Sequence, residues 1–200
     1  MRQVRILIWI LVVLALAGFA FLYFRPPQSD RGNQLTVTPA SLGGPFTLVG
    51  ADGRPFPSSR LAGKPFAIFF GFTHCPDVCP TTLQRLVKLR DDLGRGDQAF
   101  NIVFVTVDPE RDGPKEVGSY ARAFGGPIIG LTGSPSQVDQ VKERYGIFSQ
   151  KVPVPDESGD YTVDHTATAR LFDRNGKFAA TIAPDEPDGP ALAKLKRISG

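Results

Sequence analysis

Apolar residues in this chain fall into three patterns: one long unbroken stretch, several short runs of strand length, and stripes at helical spacing. The long stretch, Ile6 to Phe24, holds nineteen residues without a charge, with Arg2 and Arg5 before it and Arg25-Pro26-Pro27 after it. At about 1.5 Å per helical residue it would span roughly 28 Å, close to the ~30 Å hydrocarbon core of a bilayer. It predicts one transmembrane helix, a signal-anchor over residues 1–24, whose aromatic end (Phe19, Phe21, Tyr23, Phe24) suits a membrane interface. A cleaved signal peptide is the rival reading, because Ala15-Leu16-Ala17 before Gly18 has the small-x-small form of a cleavage site. The two N-terminal arginines keep that end cytoplasmic and send the rest of the chain across. No Arg- and Ser-rich leader precedes the apolar run, so the expected location is a bacterial inner membrane, single pass, with the C-terminal domain in the periplasm. Anchored or cleaved, the domain reaches a compartment where disulfides can persist.

Residues 25–45 are rich in Pro, Gly, Ser and Thr without a helical period and read as a linker. Residues 46–200 then alternate between strand and helix patterns. Residues 46–49 and 54–56 flank Asp52-Gly53, a hairpin signal. Residues 65–72 and 100–107 are nearly continuous apolar runs, as strands buried on both faces require. Between them, residues 81–93 place Leu83, Leu86, Val87 and Leu89 on one stripe, and Gly94 stops the helix. Helices over 115–124 and 136–145, a short strand over 127–131, a hairpin of 166–172 with 178–182 across Asn175-Gly176, and a closing helix over 191–198 complete the pattern. Such an order indicates an α/β fold with a mixed central sheet. Asp173-Arg174-Asn175-Gly176 has a superficial calcium-loop look, but no glutamate closes a twelve-residue loop, so it reads as a turn.

Charge changes the picture of partners. The chain carries 23 Lys and Arg against 20 Asp and Glu, but Arg2, Arg5, Arg25, Arg31 and Asp30 lie in the first 31 residues. The remaining chain is balanced and lacks the basic footprint that phosphate backbones demand, so nucleic acid is not an expected partner.

Two Cys, two His and one Met restrict any metal or redox chemistry to a short set of residues. Both cysteines lie in Thr73-His74-Cys75-Pro76-Asp77-Val78-Cys79-Pro80, the turn from an apolar strand into an amphipathic helix. Pro80 suits the first helical position, which would put Cys79 at or beside the N-cap, where the helix dipole favours thiolate. A structural disulfide or two buried thiols are the plain alternatives, although a three-residue spacer closes too short a loop to gain much chain entropy. His165 follows Tyr161-Thr162-Val163-Asp164 at the start of the expected hairpin, and periodicity alone does not bring it to the cysteines. In a thioredoxin-like sheet, however, the strand after that loop lies beside the dithiol strand. Two thiolates and an imidazole would then form a soft three-donor set suited to Cu(I). Zinc competes for such ligands, but a closed zinc site wants four, and His74 is tethered beside Cys75 where a common centre is hard to reach. Asp108, at the end of the second buried strand, is either a turn cap with Pro109 or a carboxylate that tunes thiolate or metal. Asp77 and Asp164 have the same two readings, with Asp164 the better candidate for orienting the imidazole. Glu110-Arg111-Asp112 reads as a solvated loop, and the face around Pro76, Asp77 and Val78 could dock a partner.

Three stretches resemble the Sco/SenC family, copper chaperones and thiol oxidoreductases of cytochrome c oxidase assembly. These are Gly71-Phe72-Thr73-His74-Cys75-Pro76-Asp77-Val78-Cys79-Pro80, Val105-Thr106-Val107-Asp108-Pro109-Glu110-Arg111-Asp112, and Val163-Asp164-His165-Thr166. The resemblance covers the membrane anchor and essentially all of residues 46–183. It implies a thioredoxin-like fold with copper, as Cu(I) and also Cu(II), on Cys75, Cys79 and His165, and a redox dithiol in Cys75 and Cys79. The implied partner is the CuA domain of cytochrome c oxidase subunit II, with a periplasmic copper donor or thiol reductant upstream. The implied role is delivery of copper to CuA; a reductase of the CuA cysteines or of another exported target, and a copper or redox sensor, use the same residues. The resemblance thus implies mainly a metallochaperone, with thiol–disulfide oxidoreductase activity as its enzymatic side.

Overall fold

Strands and helices alternate as the apolar pattern requires, and they assemble around one mixed sheet. The computed structural model describes residues 42–154 and 160–200, together with Gln3, Trp9 and Leu16. In chain order the strands are β1 (Thr47–Gly50), β2 (Pro55–Pro57), β3 (Phe66–Gly71), β4 (Asn101–Thr106), β5 (Ile128–Thr132), β6 (Ser149–Pro153), β7 (Tyr161–His165), β8 (Ala169–Phe172) and β9 (Phe178–Ile182). The helices are α1 (Val78–Asp92), α2 (Pro114–Arg122), α3 (Pro135–Arg144) and α4 (Asp188–Ser199). The expected membrane helix over 1–24 lies outside the described residues but for those three, as does most of the linker. Among the described residues no helix is long and apolar enough to cross a membrane.

Seven strands form the main sheet in the order β2-β1-β5-β4-β3-β8-β9. The two continuous apolar runs are its centre: β3 and β4 pair in parallel from Phe66 opposite Asn101 to Gly71 opposite Thr106. All six residues of β3 are buried, as a strand covered on both faces requires. β5 continues the parallel set beside β4, while β8 pairs antiparallel with β3 and β9 antiparallel with β8. Phenylalanine dominates the packing. Phe66 stacks on Phe172 at 4.8 Å between centroids, and Tyr145 meets Phe46, Phe70 and Phe172 within 5.9 Å. Each fully buried aromatic side chain contributes on the order of 1.5–3 kcal/mol. α3 starts on a capping box in which the Ser134 hydroxyl accepts from the Gln137 N–H and the Gln137 side chain accepts from the Ser134 N–H, with Pro135 at the first helical position.

Two features differ from the sequence expectation. α1 starts at Val78 rather than Thr81, with Asp77 at its N-cap, so Pro80 sits third in the helix. The first-turn N–H groups have no intrahelical acceptor, and a proline there removes no bond. The second is β6 with β7, an antiparallel ribbon that forms a sheet of its own and that the apolar pattern does not announce. β6 is Ser-Gln-Lys-Val-Pro, mostly exposed, and lacks an apolar face to read. His165 consequently ends β7 instead of opening a hairpin, and β8 begins only at Ala169.

Candidate metal centre

Gly71 and Thr106 end β3 and β4 side by side, and the chain leaves the sheet there in two loops. Carboxyl ends of parallel strands are where α/β folds gather functional groups. The loop after β3 turns at once, its Cys75 N–H donating to the Phe72 carbonyl at 3.2 Å, and then enters α1. Cys79 lies in the first turn of α1, fully buried, with its sulfur packed over Gly71. Its own N–H donates to Cys75 Sγ at 3.4 Å. Cys75 is 9% exposed and Cys79 fully buried, so Cys75 is the cysteine nearer solvent. The thiols are free.

β7 delivers the third donor. His165 Nε2 stands 3.4 Å from Cys79 Sγ, and the two sulfurs and a ring nitrogen of His165 all lie within 4.8 Å of one another. Nδ1 is 3.1 Å from the Thr166 carbonyl; a proton donated there leaves the Nε2 lone pair for a metal. The rings of Phe69 and Phe72 meet the imidazole edge-on at 6.0 and 5.8 Å, which fixes its plane. Two sulfurs and one imidazole are soft donors that fit Cu(I). His74 stays out of this cluster: its side chain is largely exposed and its Nδ1 lies 3.2 Å from Thr73 Oγ1 and 3.7 Å from the Asp112 carboxylate.

The protons sit differently from the expectation for Cys79. Cys75 is pulled down to about 4, chiefly because the Cys79 thiol donates to its sulfur, with His165 and the backbone N–H groups of Cys79 and Asp77 helping against the cost of burial. Cys79 moves the other way, held as a thiol by that same hydrogen bond and by burial, with the Asp112 charge adding to the effect. The helix N–H groups act on the sulfur that precedes the first turn rather than on the one inside it. Cys75 is therefore the thiolate of the metal-free pair.

The carboxylates are also redistributed. Asp108 is buried, and it accepts from Arg111 Nε and from the Tyr161 hydroxyl, the latter at 2.9 Å, and so braces a loop against β7. Asp164 is exposed, and the imidazole it was expected to orient is held by the Thr166 carbonyl instead, because alternation along β7 sends residue 164 outward. Asp77 caps α1 through its position without a side-chain cap bond. Of the loop expected to be solvated, only Glu110 is exposed, where it meets Lys151. Asp112 is fully buried: its carboxylate accepts from the Thr73 N–H at 2.9 Å, the Thr73 hydroxyl at 2.6 Å and the Thr106 hydroxyl at 2.7 Å. It thereby ties the start of the cysteine loop to the end of β4. The sequence signal for it was faint, a second acid four residues after Asp108 with threonines at both strand ends.

Comparison with known proteins places this chain among copper-bound relatives. The family model described as SCO1/SenC matches residues 35–200. An SCO2-like protein of Rickettsia conorii is 34% identical over 175 residues, covering 84% of this chain and 85% of its own. The structure of Bradyrhizobium japonicum ScoI with copper bound is 41% identical with a TM-score of 0.70, covering 78% of this chain and 99% of that one. Yeast Sco1 with copper bound is 32% identical with a TM-score of 0.71, covering 78% and 87% respectively.

Proposed function

Because this chain belongs to the SCO1/SenC family, we propose that it binds copper on Cys75, Cys79 and His165 and hands that copper to the CuA centre of cytochrome c oxidase subunit II. The observation that carries the copper reading is the approach of two sulfurs and an imidazole nitrogen to within 4.8 Å of one another. The donors arrive from α1, from the loop before it and from β7. In this reading copper is cargo rather than a resident group, and delivery needs a route outward. Cys75 supplies it, as the sulfur nearer solvent and the thiolate of the pair. His165 holds one nitrogen free for metal through its bond to the Thr166 carbonyl, and Cys79 must give up its proton as copper enters, so loading releases a proton. The fold is read as thioredoxin-like, which the dithiol at a strand-to-helix turn supports. The segment over residues 1–24 is read as an anchor that keeps the domain at the periplasmic face of an inner membrane, a reading supported by its apolar length and flanking arginines.

The test is copper stoichiometry of the reduced full-length chain under anaerobic conditions, with His165→Ala alongside, followed by transfer to metal-free subunit II. About one copper per chain is expected, weakened by ~10-fold or more in the variant. A variant that keeps full copper affinity would refute the three-donor site, and copper that never moves to subunit II would refute delivery.

A second reading rests on the asymmetry of the pair. One accessible thiolate beside a buried thiol suits disulfide exchange, in which Cys75 attacks a disulfide of another protein and Cys79 then displaces it, oxidising the pair and reducing the target. Exchange with a small disulfide should survive the loss of His165, whereas copper retention should not.

A further inference from the structure

The ribbon that ends in His165 forms a sheet apart from the main one, so strand pairing with that sheet does not fix the imidazole against the dithiol. Along β7 the alternation of a strand puts Tyr161, Val163 and His165 on one face. Val163 is buried, and Tyr161 stands at the opposite end of that face from the histidine. Arg111 meets it there. The guanidinium lies 3.8 Å over the Tyr161 ring, and its Nη1 donates to the Tyr161 carbonyl at 2.9 Å and to the Asp160 carboxylate at 3.0 Å. Its Nε donates to one oxygen of Asp108 while the Tyr161 hydroxyl donates to the other. Arg111, Asp108 and Tyr161 therefore close a ring of contacts.

Two members of that ring belong to the loop after β4. This loop is tied to the ends of β3 and β4 by Asp112, through its bonds to Thr73 and Thr106, and its own turn is closed by the Asp112 N–H donating to the Asp108 carbonyl at 3.0 Å. The dithiol hangs from those same strand ends. The ring thus staples the histidine ribbon to the frame that holds the sulfurs. Asp108 is buried, so its pairing with Arg111 is poorly screened, and loss of the cation would leave a carboxylate whose remaining side-chain partner is a tyrosine hydroxyl. Lysine could supply the charge, but not the fork and the flat stacking surface together.

We propose that Arg111 is a positioning residue for the metal centre: by clamping Asp108 and Tyr161 it docks the β6–β7 ribbon and keeps His165 Nε2 within reach of the two sulfurs. The metal readout of this inference rests on the copper reading above, whereas the docking does not.

The experiment uses the reduced full-length chain with Arg111→Met, Arg111→Lys, His165→Ala and the Arg111→Met/His165→Ala double variant. Cu(I) affinity is measured by competition with a chelator, and amide hydrogen exchange is followed in the metal-free protein. Arg111→Met is expected to lower Cu(I) affinity by about tenfold or more. The double variant should bind no more weakly than His165→Ala alone, since the arginine acts through the histidine. Exchange should accelerate in β6 and β7 and stay unchanged in β3 and β4, with Arg111→Lys falling between. Wild-type affinity and exchange in Arg111→Met, or losses that add in full in the double variant, would overturn the clamp. If Arg111→Met does not fold, Tyr161→Phe opens the same ring at one hydroxyl and is held to the same exchange and double-variant criteria. If the unaltered chain binds no Cu(I), the copper reading fails and the exchange comparison alone decides whether Arg111 docks the ribbon.

Discussion

A β-carbon on Gly71 would lie 2.6 Å from the sulfur of Cys79. The same carbon would fall 3.0 Å from the Phe69 ring and 3.2 Å from the Phe104 ring, so it has no free direction in which to be accommodated. Glycine at the last position of β3 is thus what lets the buried sulfur settle on the strand end, facing His165. Gly71→Ala should displace Cys79 Sγ, lower stability by about 1–3 kcal/mol as other overpacked cores do, and weaken copper binding. Urea unfolding and Cu(I) competition check both; unchanged values would mean the helix start shifts freely.

Cys75 should be the reactive thiol. With its proton lost near pH 4, alkylation by a small reagent should run at full thiolate occupancy from about pH 6 upward, and fall as pH drops through about 4 because the thiol form takes over. Cys79, buried and held protonated, should remain unmodified. Removing the donor by Cys79→Ala should move the Cys75 profile up toward the ordinary thiol range. Mass-resolved labelling against pH reads both effects, and equal labelling of the two sulfurs in the folded protein would contradict the assignment.

Asp112 accepts three hydrogen bonds in a fully buried setting. Asp112→Ala leaves the donors of Thr73 and Thr106 without that acceptor and should cost about 2–4 kcal/mol, with loosening of the cysteine loop. Asp112→Asn keeps the shape and one acceptor oxygen and should cost less. Denaturation midpoints of the two variants at neutral pH order the effects, and a cost below about 0.5 kcal/mol for Asp112→Ala would show that Thr73 and Thr106 find other acceptors.

Ser134→Ala separates stability from site chemistry. It removes the hydroxyl that accepts from the Gln137 N–H at the start of α3, and should cost about 1 kcal/mol. Copper affinity and the pH profile of Cys75 labelling should be unchanged, because α3 contributes none of the three donors. A shift in either would reveal coupling between α3 and the centre.

Several features of the fold are legible in the residue pattern alone. The two continuous apolar runs are the central strands β3 and β4 to within a residue or two, and the stripe of Leu83, Leu86, Val87 and Leu89 is the inward face of α1. Periodicity records burial, and these segments are buried on whole faces. The placement of both cysteines at a strand-to-helix turn was equally readable, since it depends only on neighbours in sequence. His165 came from resemblance to a family, because its partners are 86 residues or more away.

Other features depended on the tertiary structure. β6 and β7 bury too little to leave an apolar signature, so the sequence pattern does not announce the ribbon that carries a metal-donor candidate. Glu110-Arg111-Asp112 looks solvated as a charged triplet, yet Arg111 and Asp112 turn inward because threonines beside two strand ends and a tyrosine across the ribbon complete their hydrogen bonds. Which cysteine keeps its proton was likewise decided in three dimensions, by a sulfur–sulfur hydrogen bond and by unequal burial. The chain's order of residues determines which groups are available and which local element each occupies. Long-range packing decides which polar groups find partners, and the environment those partners create sets protonation and reach.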